Sequence, residues 1–327
     1  MHTQVGTDVE HAARLLEQGE LVAIPTETVY GLAANALNAV ACARIFEVKN
    51  RPGFDPLIVH LAPATDFESA LSACARAVPP WASKLAGAFW PGPLTLVLPR
   101  KPLIPDIVTS GLETVALRMP AHVLAQRLLE RLPFPLAAPS ANPFGFVSPT
   151  TAQHVLDQLG GKIAYVLDGG PCRVGLESTI VGEQDGRPVV LRLGGLGVED
   201  LEGVVGPLGL ATSSGASPGS LESHYAPRTP LYFDDLGYRA RGLSPDQVAL
   251  LLFRAPLAEV PPDQQEVLSA SGDLNEAARH LFGAMRRLDA LAAARGLRAI
   301  FTQKFPERGL GRAINDRLRR ASSRYAT

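Results

Sequence analysis

What most limits the fold of this 327-residue chain is a series of short apolar runs, each halted by a proline or a polar cluster. Residues 21–24 form the first such run and stop at Pro25; others cover 57–61, 94–98, 114–119, 135–138, 163–167, 177–181 and 189–193. Runs of this length are too short for helices and fit buried strands. Helical patterns fall between some of them, at 8–18, 40–48, 123–131 and 151–159. Because several strands follow one another without a helix, the expected fold is a mixed, twisted α/β sheet, not a strictly alternating one.

A change in composition marks the end of this region. Residues 206–230 are rich in Gly, Pro and Ser with little periodicity, the signature of a linker. After it come apolar runs at 231–233, 248–253 and 299–301, with a helical stripe through Leu274, Ala278, Leu281, Met285, Leu288 and Ala292. Strand, helix, strand predicts a parallel βαβ unit and a second, smaller α/β domain. The expected division is therefore 1–205, a linker at 206–229, and 230–327.

Bulk properties exclude several classes. A net charge of −1 gives no global pull toward nucleic acid, so any RNA contact must come from a local basic patch. Three separated cysteines, Cys42, Cys74 and Cys172, form no disulfide framework or zinc pattern and suit a reducing cytoplasm. The first residues lack the basic start and apolar core of a secretory signal. The longest aliphatic run, 248–253, falls far short of the ~20 residues of a membrane span.

Polar clusters follow the apolar runs, where α/β sheets place their ligands. Thr26, Glu27 and Thr28 in a tight turn can offer hydroxyls and a carboxylate, although Thr26 also reads as a cap for a following helix. Lys49 and Arg51, before a proline-stiffened turn, suit phosphate, although both could instead complement a helix C-terminus. Ser140 and Asn142, followed by Ser148 as the cap of a helix, could cradle an anion or be ordinary turn residues. Arg118 at a strand exit is either a surface charge or a carboxylate receptor, and Arg192 inside an apolar strand needs a partner or the sheet's solvent face. The chain has no phosphate-binding G-x-x-x-x-G-K-[ST] loop, no G-x-G-x-x-G after the first strand, no nucleophile elbow and no H-E-x-x-H pair. That inventory favours a reaction run by positioning and charge neutralisation, such as nucleotidyl transfer with magnesium.

The order of the clusters carries more than each alone. PTETVYGL, KNRP with PLIVH, PGPLTLVL, VALRMP, PSAN with SPT, ESTIV and VLRLG together resemble the YrdC-like domain of threonylcarbamoyl-AMP synthases. SPG, HYAP and GLGRAINDRLRRAS resemble the linker and extra C-terminal domain of the two-domain members, so the resemblance spans about residues 10–320. It implies an open, twisted α/β sheet with a Rossmann-like extra domain, and an enzyme that joins L-threonine with bicarbonate or carbon dioxide and transfers AMP from ATP, releasing pyrophosphate. Mg²⁺ would accompany the ATP. Transferase machinery would then modify tRNAs reading ANN codons.

By that resemblance, Thr28, His60, Arg118, the backbone of Ala138 and Ser178 would form the threonine pocket. Lys49, Arg51, Asp55, Thr114, Ser140, Ser148, Arg192 and Tyr225 would form the ATP side, with Lys49 and Arg51 neutralising the triphosphate. Tyr225 would reach back from the linker, making that segment a lid that excludes water. Two departures stand out. Asp55 replaces a frequent Asn, placing negative charge near the proposed phosphates, and the linker reads Ser220-Leu221-Glu222-Ser223 where relatives are often basic. The competing readings are a non-catalytic RNA-binding module and a hydrogenase-maturation carbamoyltransferase, whose zinc-finger and acylphosphatase-like regions this chain lacks.

Overall fold

The computed structural model describes residues 2–211 and 224–325, so half of the proposed lid, residues 212–223, lies outside the described residues. The chain forms two compact units, one of residues 1–144 and 149–220, the other of 145–148 and 221–327.

Among the described residues, the first unit carries eleven strands: β1 (Gln4–Gly6), β2 (Val22–Ile24), β3 (Gly31–Asn35), β4 (Ile58–His60), β5 (Leu94–Pro99), β6 (Thr114–Arg118), β7 (Leu136–Ala137), β8 (Tyr165–Leu167), β9 (Thr179–Gln184), β10 (Arg187–Arg192) and β11 (Gly209–Leu210). They form one sheet in the order β1-β8-β2-β3-β7-β4-β6-β5-β9-β10-β11. Pairings are mixed: β4 runs parallel to β6 and antiparallel to β7, while β5 runs antiparallel to β6 and parallel to β9. The mixed sheet predicted from the sequence is present.

Alternation along the strands gives the sheet two unlike faces. One face presents Ala23, Leu32, Ala34, Ala137, Val59, Val115, Leu117, Leu96 and Val181 to a core shared with the helices Ala39–Lys49, Pro80–Phe89 and Ala152–Leu159. The opposite face is divided. Over β2, β3, β7 and β8, the residues Val22, Ile24, Ala33, Leu136 and Leu167 pack under helices Val9–Glu17 and Val123–Arg131. Over β4, β6, β5 and β9 a small separate cluster of Ile58, Ala116, Val97 and Ile180 remains, joined by Leu191. Among the described residues no helix contributes to that cluster.

Two local expectations are corrected. Thr26 does not cap a helix: its hydroxyl accepts the N–H groups of Thr28 and Val29 in a turn that leads into β3. The helix Ala152–Leu159 is capped by Thr151, whose side chain accepts from the His154 N–H, and not by Ser148.

The second unit has a four-stranded sheet, β12 (Leu231–Phe233), β13 (Val248–Leu252), β14 (Gln265–Val267) and β15 (Ala299–Thr302), in the order β12-β15-β13-β14. All its pairings are parallel, as the strand–helix–strand pattern predicted. Helix Leu274–Arg295 is the crossover between β14 and β15; it starts at the Asp273 cap and stops at the left-handed Gly296. Among the described residues no helix is long and apolar enough to cross a membrane.

Candidate functional site

Strand register assembles the site. Leu136 pairs with His60, His60 with Arg118, Arg118 with Thr95, Thr95 with Ile180, and Ile180 with Arg192. A single row thus crosses β7, β4, β6, β5, β9 and β10, and paired residues project to the same face of a sheet. That face is the one holding the Ile58, Ala116, Val97 and Ile180 cluster, so the polar row borders an apolar floor. Arg192 reaches its place because the register shifts between Val190 and Arg192, setting Leu191 aside in a bulge.

Each member of the row is buried and held. Arg118 directs Nη2 to Glu27 Oε1 at 2.6 Å and Nε toward the Gly92 carbonyl at 3.4 Å. Its Nη1 makes no hydrogen bond among the described residues. His60 places Nδ1 3.1 Å from the Ile58 carbonyl, which can only accept, so Nδ1 carries the proton there. Burial, helped by the Arg118 charge, pushes the His60 pKa down to about 3, and its imidazole is neutral at physiological pH. The Ser178 and Thr95 hydroxyls lie 2.7 Å apart, and Arg192 Nη2 donates to both the Ser178 carbonyl (2.8 Å) and its hydroxyl (3.2 Å). Thr95 belongs to this network although sequence reasoning did not select it. The signal was there: a lone threonine at the start of LTLVLP, on the alternation face of Val97.

A second set of cations sits at the C-terminal end of helix Ala39–Lys49. The helix ends at Lys49 because Asn50 turns left-handed (φ 50°). The Lys49 ammonium is 1% exposed and donates to the carbonyls of Ser140 and Asn142. Burial, with the neighbouring Arg51 charge, holds its pKa well below the usual lysine range, while Asp55 opposes the shift. Arg51 donates to the carbonyls of Asp55 (2.9 Å) and Pro56 (2.8 Å) and pairs with the Asp55 carboxylate at 2.9 Å. Neither cation is used as a helix-end complement in these contacts.

The remaining expected residues are distributed as follows. Thr28 is fully buried beside Thr26, their hydroxyls 2.8 Å apart. Ala138 donates its N–H to the Ile58 carbonyl, which brings it to the strand that carries His60. Ser140 pairs with Gly31 in an isolated bridge. Thr114 opens β6 on the same face as Arg118, about 13 Å along the strand. Ser148 and Tyr225 belong to the second unit. There Arg286 donates toward the Ser148 carbonyl, and the Tyr225 ring stacks on Phe282 at 5.6 Å with the Arg317 guanidinium 5.3 Å away.

Residues 14–194 match the Sua5/YciO/YrdC family model, described as "Telomere recombination". The chain belongs to the Sua5/YciO/YrdC family. Residues 196–323 further match the model described as "Threonylcarbamoyl-AMP synthase, C-terminal domain". Within the family, the chain is 42% identical to the threonylcarbamoyl-AMP synthase of Pyrococcus abyssi over 95% of its own length and 93% of that protein. It is 40% identical to the Bacillus subtilis threonylcarbamoyl-AMP synthase, covering 96% and 92% respectively. The solved structure of P. abyssi Sua5 complexed with L-threonine superposes with a TM-score of 0.86, at 38% identity, over 98% of this chain and 97% of that one. Like these relatives, this family member is an enzyme.

Proposed function

We propose that this chain condenses L-threonine with bicarbonate or carbon dioxide and transfers AMP from ATP to the resulting carbamate, yielding threonylcarbamoyl-AMP and pyrophosphate. The observation that carries this reading is the row in which His60, Arg118, Thr95 and Arg192 share one face. The similar P. abyssi Sua5 was solved with L-threonine, which supports the same ligand here.

The threonine carboxylate takes the Nη1 side of Arg118, whose other edge is held by Glu27 and Gly92. Neutral His60, the Ser178 hydroxyl, Thr28 and the Ala138 backbone surround the rest of the amino acid. The amine attacks the carbon of bicarbonate and water leaves, forming a carbamate. A carbamate oxygen then attacks the α-phosphorus of ATP. The bond to the β-phosphate oxygen breaks, and pyrophosphate departs with the electron pair. Lys49, Arg51, Ser140 and Arg192 orient and neutralise the phosphates, with Thr114 and Asp55 on the same side.

Among the described residues no group of three His, Cys, Asp or Glu side chains could hold a metal ion. Mg²⁺ would enter as part of the nucleotide substrate, riding on its phosphates as this cation commonly does. The product is a labile mixed anhydride, so it requires a transferase that passes the threonylcarbamoyl group to tRNA adenosine, in the cytoplasm where tRNA resides.

The test is pyrophosphate release from Mg²⁺ and ATP with the co-substrates added singly and together. Release that needs both L-threonine and bicarbonate, with serine a poor replacement, is expected. Release indifferent to threonine from folded protein overturns the reading.

A further inference from the structure

Glu27 lies in the first polar turn, and the site described so far gives it no task beyond contacting Arg118. Its side chain and that of Arg118 are 2% and 4% exposed, so neither charge is screened by water. Glu27 uses its two oxygens on different parts of one object. Oε1 accepts from Arg118 Nη2 at 2.6 Å, while Oε2 accepts the N–H of Ala121 at 3.0 Å, three residues beyond Arg118. One carboxylate thus fixes both the guanidinium and the chain that leaves β6. Glu27 is itself fixed, because its carbonyl accepts from Val174 N–H at 2.7 Å and the Thr26 turn precedes it.

We infer that Glu27 is a positioning residue for the amino-acid substrate: it selects which edge of Arg118 meets the α-carboxylate. This inference rests on the proposed threonine site. Arginine recognises a carboxylate through a planar fork, and a fork is useful only when its rotation is arrested. Glu27 takes Nη2 and Gly92 takes Nε, so the guanidinium cannot swing without breaking a buried ion pair. Glutamine has the same shape but cannot replace the carboxylate. Its NH2 would face either Arg118 Nη2 or the Ala121 N–H, donor against donor.

The experiment measures L-threonine and ATP binding separately by calorimetry on the full chain, together with KM for each substrate. Glu27→Gln is expected to weaken threonine binding about tenfold or more while leaving ATP affinity within about twofold. In turnover, the loss falls on the threonine KM more than on kcat. In an Arg118→Lys background, Glu27→Gln should cost little more, because the fork it aims is already gone. If Glu27→Gln does not fold, Glu27→Asp serves, with the same threonine-selective loss expected. Unchanged threonine affinity, equal losses for threonine and ATP, or full additivity with Arg118→Lys each overturns the positioning role. Wild-type protein that binds no threonine overturns it together with the proposed function, which separates the two failures.

Discussion

Arg51 and Asp55 form a buried ion pair of 2.9 Å, with side chains 5% and 3% exposed, inside the turn that carries the proposed triphosphate contact. The carboxylate therefore occupies part of the charge meant for phosphate. Replacing it should release that charge. Asp55→Asn, which can still hydrogen-bond, is expected to lower the ATP KM about threefold or more and to cost about 1–3 kcal/mol of stability. Initial-rate kinetics and urea unfolding of the variant check both, and a raised ATP KM would mean that the carboxylate assists nucleotide binding.

Lys49 is a buried ammonium held by two backbone carbonyls, those of Ser140 and Asn142. Methionine matches its length and removes the charge. Lost hydrogen bonds and relieved charge burial oppose each other, so Lys49→Met should change stability by less than about 2 kcal/mol. Turnover should fall about 100-fold or more if the ammonium stabilises transferring phosphate. Threonine affinity should persist. Normal turnover would reduce Lys49 to a structural tie for the 140–142 turn.

His60 has its pKa lowered to about 3 by burial and the Arg118 charge, against an unfolded value near 6.5. A depressed folded pKa means that the unfolded chain takes the proton first. The stability supplied by the neutral ring is complete above about pH 6.5 and is lost as pH falls toward 3. Between pH 7 and 5 the wild type should lose about 2 kcal/mol more than His60→Gln, at about 1.4 kcal/mol per pH unit. Urea titrations at both pH values measure the difference, and parallel losses would show that His60 is accessible to protons.

Most of the first unit was legible because its strands are apolar runs with clear stops. Helix Val123–Arg131 and strand Leu231–Phe233 were read to the residue. Strands β1 and β14 were not read. QVG is largely exposed and QEV only partly buried, so neither shows the apolar run that reveals a strand; pairing alone makes them. Strand β3, GLAAN, was hidden by small residues that carry no β preference. In the site, Arg118 was visible as a charge at a strand exit. Glu27 could not be assigned from its turn, because its partner lies 91 positions away and only the fold joins them.

Gly194 provides a further check on the Arg192–Ser178 contact. A Cβ there would press into the backbone carbonyls of Glu177 and Ser178. Gly194→Ala should therefore push the end of β10 outward, costing about 1–3 kcal/mol and weakening substrate binding along with it. Thermal unfolding and threonine titration of the variant test this. Wild-type values in both would show that the close approach is not required.

Because the row is written in strand register, the site is intolerant of frame errors in a way that its loops are not. Deleting one residue between Thr114 and Arg118 would turn the guanidinium toward Leu117's side of the sheet, into hydrocarbon. Deleting two would restore the face but shorten the reach. Descendants of this chain can therefore lengthen or trim the segments between strands, while β4, β5, β6, β9 and β10 can change only by substitution. Five separate stretches of sequence must keep their length for one small molecule to be held.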